Sequence, residues 1–277
     1  MSHLVTVHSL SERRACQLAR QPRSTHRYES RQLLGDDALT RQIKALSLKH
    51  PRYGYRRITA LLRQDGWNVN RKRIHRIWKR EGLRVPFRRR RKRRRGHGAN
   101  SSQVLRSEQK DHVWSYDFLS DMTTGGHSLR VLALVDEYTR ECLILKVAKN
   151  INAKSVRESL RSLFLKGRMP RYIRSDNGPE FIAESLSKWF KELGVKTAFI
   201  EPGSPWENAY IESFNARLRD EFLDRRTFET AREAGDLSNQ YQKEYNEERP
   251  HSSLSYLTPG EFSRRLEERE VKHNHAA

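Results

Sequence analysis

Apolar residues recur at helical spacing in three short blocks of the first third of the chain. Leu39, Ile43, Leu46 and Leu48 predict a helix that ends before Pro51, because a residue preceding proline avoids helical backbone. Tyr55, Ile58, Leu61 and Leu62 predict a second helix, stopped at Gly66. Asn70 caps a third, which turns Ile74, Ile77 and Trp78 inward and stops at Gly82. Beyond residue 109 the period changes. Residues 113–118 alternate as a strand whose apolar end is interrupted by Asp117, and SLRVLALVDEYTR and ECLILKVAK read as two further strands about a turn at residues 137–140. A helix capped by Asn152 and stopped at Gly167 buries Val156, Leu160, Leu163 and Phe164. A short strand at 171–175, a helix at 185–193 and a strand at 195–200 follow. Ile211, Phe214, Leu218 and Phe222 then mark the apolar face of another helix.

Three antiparallel strands followed by alternating helix and strand predict an α/β fold, a mixed sheet with flanking helices, preceded by a small all-α helix-turn-helix domain. If the later strands add beside the first, the first and fourth strands are neighbours and Asp117 comes next to Asp176. The expected divisions are a polar, poorly ordered lead at 1–36, the helix-turn-helix at 37–85, a basic linker at 86–108, the sheet domain at 109–225 and a helical extension at 226–277. YNEERPHSSL and the helix after Pro259 read as braces for the core or as assembly elements.

Charge sharpens this division. Residues 1–100 hold 28 Lys and Arg against 6 Asp and Glu, whereas residues 101–277 hold 27 against 28, so the whole excess of the +21 chain lies in its first third. A basic module joined to a near-neutral domain predicts a polyanion partner, and double-stranded DNA is the natural one. Arg71, Arg73 and Arg76 lie on the third helix. Arg88, Arg89, Arg90, Arg91, Lys92 and Arg93 belong to an unbroken run of eight basic residues that would clamp a phosphate backbone in a salt-sensitive way. No apolar run approaches membrane-spanning length and no signal-peptide pattern opens the chain, so an intracellular protein without a membrane partner is expected. Two distant cysteines and scattered histidines, with no CxxC or HExxH, predict neither a disulfide framework nor a zinc site.

The candidate chemistry is carboxylate chemistry. Asp176 follows the 171–175 strand, and Asn177, Gly178 and Pro179 turn the chain away from it. Glu212 shares a helix face with Asn215 and Arg219, since residues three, four and seven apart lie on one side. A carboxylate inside a strand is uncommon, which singles out Asp117. Asp136 is its rival and reads as a turn former. Three carboxylates converging on one point would suit a hard divalent cation such as Mg²⁺. Arg219 is equally consistent with a phosphate contact and with a solvent-exposed pair. Asn177 fits close backbone approach to a site or a plain tight turn, and Trp206 fits base stacking or packing. Asn208 is placed to cap the Glu212 helix.

The order Asp117, Asp176, Glu212, with 35 residues between the last two, resembles the D,D(35)E pattern of retroviral integrases and related transposases, whose core is ribonuclease-H-like. WSYDF, LVDEYTR, SDNGPEF, PGSPWENAYIESFNARLRDE and YNEERPHSSLSYLTPGEF look like the second-frame transposases of bacterial insertion sequences. HPRYGYRRI is similar to the segment that introduces that group's helix-turn-helix, and the resemblance spans about residues 38–265. It implies a ribonuclease-H-like sheet and metal-dependent cleavage and strand transfer at insertion-sequence ends. Asp117, Asp176 and Glu212 would be the catalytic residues, holding two Mg²⁺ or Mn²⁺ ions; Arg219 matches a basic position of the family, Arg219 and Asn177 are expected DNA contacts, and the PGSPWENAY loop would lie beside bound DNA. Implied partners are the terminal inverted repeats, target DNA, further copies of the chain on DNA and a first-frame helix-turn-helix protein of the same element; the implied setting is the cytoplasm, at the nucleoid. The His and Cys spacing of the retroviral zinc module is not found, so zinc is not expected, and the first-frame helix-turn-helix and zipper are not found either, so end recognition or multimerisation is expected to be incomplete in this chain alone. Two other classes remain open from the residues, a non-catalytic DNA-binding regulator and a ribonuclease-H-like nuclease.

Overall fold

The computed structural model of the chain describes residues 5–27, 37–86, 105–175, 184–199 and 208–274. Within the lead, where little order is expected, the described residues include the short helices α1 (Glu12–Leu18) and α2 (Arg23–His26). The Ser11 hydroxyl accepts the Arg14 N–H at the start of α1, and Arg27 forks onto Glu12 at 2.6 and 2.7 Å.

Helices α3 (Asp37–Lys49), α4 (Tyr55–Gln64) and α5 (Arg71–Arg80) form the three-helix unit. Leu39, Ile43, Ile58, Leu62, Ile74, Ile77 and Trp78 close its core. The Asn70 side chain accepts the Lys72 N–H at 2.9 Å, and Gly66 and Gly82 adopt the positive φ that ends each helix. Leu48 corrects the expected face. Half a turn removed from Leu39, Ile43 and Leu46, it stands 80% exposed.

The second unit is a five-stranded mixed sheet in the order β3-β2-β1-β4-β5, formed by β1 (Val113–Met122), β2 (Ser128–Asp136), β3 (Cys142–Ala148), β4 (Tyr172–Ser175) and β5 (Lys196–Phe199). β1 is antiparallel to β2 and parallel to β4, so the first and fourth strands are neighbours as expected. β1 runs four residues beyond the end expected at Phe118. Ladder bonds to β2 continue through Ser120 and Asp121 although the apolar alternation has stopped.

Helices cover both faces. α6 (Ala153–Phe164), capped by Asn152, and α7 (Glu184–Glu192) cover the face formed by Trp114, Tyr116, Leu132 and Ile173. The other face, formed by Leu119, Val131, Ala133 and Val135, receives α8 (Ala209–Glu221) and α9 (Ala231–Glu247). Tyr241 and Tyr245 of α9 join this core, and Asn246 both donates to and accepts from the Cys142 backbone, so the extension braces the sheet edge. α10 (Pro259–Asn274) opens with a reciprocal capping box between Thr258 and Glu261. None of the described helices is long and apolar enough to cross a membrane.

The two units meet at the C-terminal end of α8. Arg52 pairs with Asp220 at 2.7 Å and Arg57 with Glu221 at 3.3 Å. Glu221 is also forked by Arg249 at 2.6 and 2.7 Å, and Arg249 is only 1% exposed. Burial alone would raise the Glu221 carboxyl, but the Arg249 and Arg57 guanidiniums hold it below the usual carboxylate range. Removing one partner of such a pair strands a charge in the interior. Glu221→Gln is therefore expected to destabilise the chain by about 3–5 kcal/mol, read as a lowered urea midpoint.

Candidate active site

Strand alternation decides which way β1 presents its side chains. Trp114 and Tyr116 point into the core under α6 and α7, so Ser115, Asp117 and Leu119 face α8. Asp117, opposite Ala133 of β2, is half-buried; one carboxylate oxygen accepts the Phe118 N–H at 2.7 Å. The other accepts from Nδ2 of Asn215 at 2.7 Å.

Asn215 belongs to α8. Ile211, Phe214 and Leu218 bury the apolar face of that helix on the sheet, leaving Glu212, Asn215 and Arg219 along the adjoining face. Glu212 is exposed, one turn before Asn215. Arg219 donates from Nη2 to the Ser120 carbonyl at 2.8 Å, a backbone contact that neither sequence alternative anticipated. Two polar bonds therefore fasten the Glu212 helix to the Asp117 strand, one at the carboxylate and one three residues along β1. Asn208 occupies the N-cap position of α8 without making the expected cap bond. Its backbone, at φ −103° and ψ 23°, is not the extended conformation that turns a capping side chain onto the first N–H groups.

Asp176 and Asn177 lie outside the described residues, as do Gly178, Trp206 and the run Arg88, Arg89, Arg90, Arg91, Lys92 and Arg93. Among the described residues no three His, Cys, Asp or Glu side chains form a metal-binding group. Arg71 and Arg76 occupy exposed positions of α5 and Arg73 a half-exposed one, all in the three-helix unit. Asp136 is the turn former read from the sequence. Its buried carboxylate accepts the N–H groups of Asp111, Tyr138 and Thr139 at 2.7–3.0 Å, and burial pushes it up to about 6.

Beneath Asp117 lies a buried network that the sequence showed only as an acidic residue beside Asp136. Glu137, 1% exposed, accepts from the Ser115 hydroxyl and from Nη1 of Arg174 at 2.7 Å. Arg174 in turn donates to the Leu105 carbonyl at 2.7 Å. Glu137 Oε2 is buried with no hydrogen-bond partner among the described residues. Ser115 and Arg174 face each other across β1 and β4, each two residues before a candidate carboxylate. The signal in the sequence was a charged residue at each strand end, but nothing local paired the two.

With this geometry in view, residues 107–205 and 193–259 match integrase core domain families, and residues 35–91 match an HTH-like domain family. The fold and site define an integrase-type core preceded by a helix-turn-helix-like domain. The chain is 37% identical over 256 residues to the "Insertion element IS407 uncharacterized 31.7 kDa protein" of Burkholderia multivorans, covering 92% of this chain and 91% of that protein. It is 28% identical over 253 residues to the "Transposase for insertion sequence element IS904" of Lactococcus lactis, covering 86% and 98% respectively. A chain of the simian T-cell lymphotropic virus intasome shares its fold, with a TM-score of 0.51 at 15% identity over 80% of this chain and 74% of that one. The protein belongs to the family of bacterial insertion-element transposases with an integrase core.

The network under the site has a pH signature. Burial pushes Glu137 from 4.5 up to about 7, with Arg174 and Ser115 pulling the other way. A raised folded-state value means that the native chain binds the extra proton, so this contribution is complete below 4.5 and is lost as pH rises through 7. Glu137→Gln removes that loss. Relative to wild type, the variant should gain up to about 3 kcal/mol between the two ends of this window, measured by urea denaturation at a series of pH values.

Proposed function

We propose that the chain is a DDE transposase that cuts and joins DNA at the ends of its insertion sequence, with Asp117, Asp176 and Glu212 as its catalytic carboxylates. The observation that carries this reading is the Asn215–Asp117 hydrogen bond, which ties the helix bearing Glu212 to the strand bearing Asp117 on one side of the sheet. The described parallel register pairs Ser115 with Arg174; two residues on from each along the chain are Asp117 and Asp176. The donor set is all carboxylate oxygen, which fits hard divalent ions. Asp117, Asp176 and Glu212 would hold two Mg²⁺ or Mn²⁺ ions. Bound there, the ions supply Lewis acidity for an in-line phosphodiester displacement.

The protein's own part is orientation. Asn215 fixes the carboxylate plane of Asp117, and Ser115, Glu137 and Arg174 stiffen the strands behind it. Water attacks the terminal phosphodiester first, forming one P–O bond as the bond to the 3′ oxygen breaks. The freed 3′ hydroxyl then attacks a phosphodiester of target DNA and displaces another 3′ oxygen. No bond to the protein forms, so no nucleophilic side chain is required. Arg219, one nitrogen of which holds Ser120, offers its others to a DNA phosphate, and Asn177 is a further DNA contact. Arg71, Arg73 and Arg76 of α5 and the 88–93 run bind DNA phosphates. Further copies of the chain assemble on the paired ends, with a first-frame protein of the element as an additional partner.

The test uses purified chain, Mg²⁺ or Mn²⁺, and a labelled duplex carrying the element's terminal repeat. Wild type should nick and join the 3′ end. Asp117→Asn, Asp176→Asn and Glu212→Gln should each reduce the chemical step by more than about a thousandfold while leaving duplex binding within a few-fold of wild type. Near-normal activity in any of the three would remove that residue from the site, and binding without chemistry in wild type would remove the activity from this chain acting alone.

A further inference from the structure

On the side of α8 turned away from Glu212 lies a cavity of about 400 Å³ whose walls are basic. Tyr210 and Arg217 sit roughly 160° and 140° around the helix from Glu212, so this cavity is separate from the carboxylate site. Four arginines line it, from four parts of the chain: Arg57 of α4, Arg140 of the β2–β3 turn, Arg217 of α8 and Arg249 beyond α9. Among the described residues no carboxylate lines it. Glu221 stands behind, pairing with Arg57 and Arg249, and Arg140 and Arg217 have no carboxylate at ion-pair distance among the described residues, their charges reaching Glu137 and Glu221 only from farther off.

These two cations are held in place by other means. The Arg140 guanidinium lies 4.0 Å over the Tyr210 ring, and its Nη1 is buried with no hydrogen-bond partner among the described residues. Arg217 donates from Nη1 to the carbonyl and hydroxyl of Ser213 on its own helix. His251 closes the floor as a neutral ring: burial first, then Arg249, Arg217, Arg57 and Arg140, push it down to about 2. Its Nε2 is 3.0 Å from Nη1 of Arg249, and because a guanidinium only donates, the imidazole nitrogen accepts. Ser213, Ser252 and Ser253 are exposed at the mouth, where their hydroxyls can donate. A concave site with surplus guanidinium donors, hydroxyls at its rim and no acid among its described lining residues is complementary to a tetrahedral oxyanion.

We infer that this cavity binds one backbone phosphate of DNA, gripping the duplex at a point removed from the carboxylates. The inference rests on the reading of the chain as a protein that acts on DNA. Arg57 belongs to the helix-turn-helix unit while Arg140 and Arg217 belong to the core, so the bound phosphate is shared by both units.

The test measures binding of the full chain to a fluorescent terminal-repeat duplex across a salt series, in EDTA so that no chemistry occurs. Arg140→Gln and Arg217→Gln should each weaken binding about tenfold and make the plot of log affinity against log salt shallower by about one, whereas Arg140→Lys and Arg217→Lys should keep the wild-type slope. Glu212→Gln should also keep it, so loss of cleavage and loss of this contact are separable. On wild type, duplex should slow phenylglyoxal modification of Arg140 and Arg217, read by mass spectrometry, which tests the contact even if a variant fails to fold. Unchanged slopes in both Gln variants, or unchanged labelling in the presence of duplex, overturn the inference. Inorganic phosphate is the second probe. If it raises the melting temperature of wild type but not of the Gln variants while DNA slopes stay equal, the cavity is a free-anion site and the assignment to DNA fails.

Discussion

The arrangement of the molecule depends on one buried fork, the two hydrogen bonds between Arg249 and Glu221. A guanidinium that is 1% exposed is tolerable only if its charge and its donors are met, and the planar fork meets them in one orientation. That requirement fixes the last residue of α8 against the segment that follows α9. Arg57 reaches the same carboxylate from the helix-turn-helix unit, so a single acidic side chain sets core, extension and three-helix unit in relation to one another. An apolar contact of equal size would permit sliding or rotation; the fork does not.

Held at that end, α8 works as a beam with three differently specialised sides. Ile211, Phe214 and Leu218 anchor it to the sheet. Glu212, Asn215 and Arg219 form the side that reaches β1, and Tyr210, Ser213 and Arg217 form the side lining the basic cavity. Thirteen residues of sequence thus encode packing, carboxylate placement and anion complementarity through the 3.6-residue period alone.

What the sequence disclosed and what it concealed divide along a physical line. Helix faces, the caps at Asn70 and Asn152 and the glycine stops at Gly66 and Gly82 are local, and they were legible. The adjacency of β1 and β4 was legible as well, because few topologies suit three antiparallel strands followed by alternating elements. The burial of Arg249 and His251 was not legible. A charged residue reads as exposed unless its partner is known, and the partners of Arg249 and Arg57 lie 28 and 164 residues away in the chain. Asn215 could be put on the Glu212 face, yet its partner Asp117 is 98 residues distant, so its role emerged only from tertiary structure. Leu48 was misplaced for the opposite reason, as apolar character was read as burial although the helix turns it outward.

The parity of β1 carries a consequence for how such a chain can change. Odd positions from Ser115 to Leu119 look toward α8, and even ones from Trp114 to Tyr116 look toward α6 and α7. Deleting a single residue between Val113 and Asp117 while the ladder with β2 held its place would turn the carboxylate to the opposite face of the sheet, among aromatic side chains. Strand pairing would survive the edit, whereas the chemistry proposed for Asp117 would not. If Asp117 acts as proposed, the length of this strand matters as much as the identity of its acid, and copies of the gene that drift by one codon here would encode a folded protein with its carboxylate facing the opposite layer.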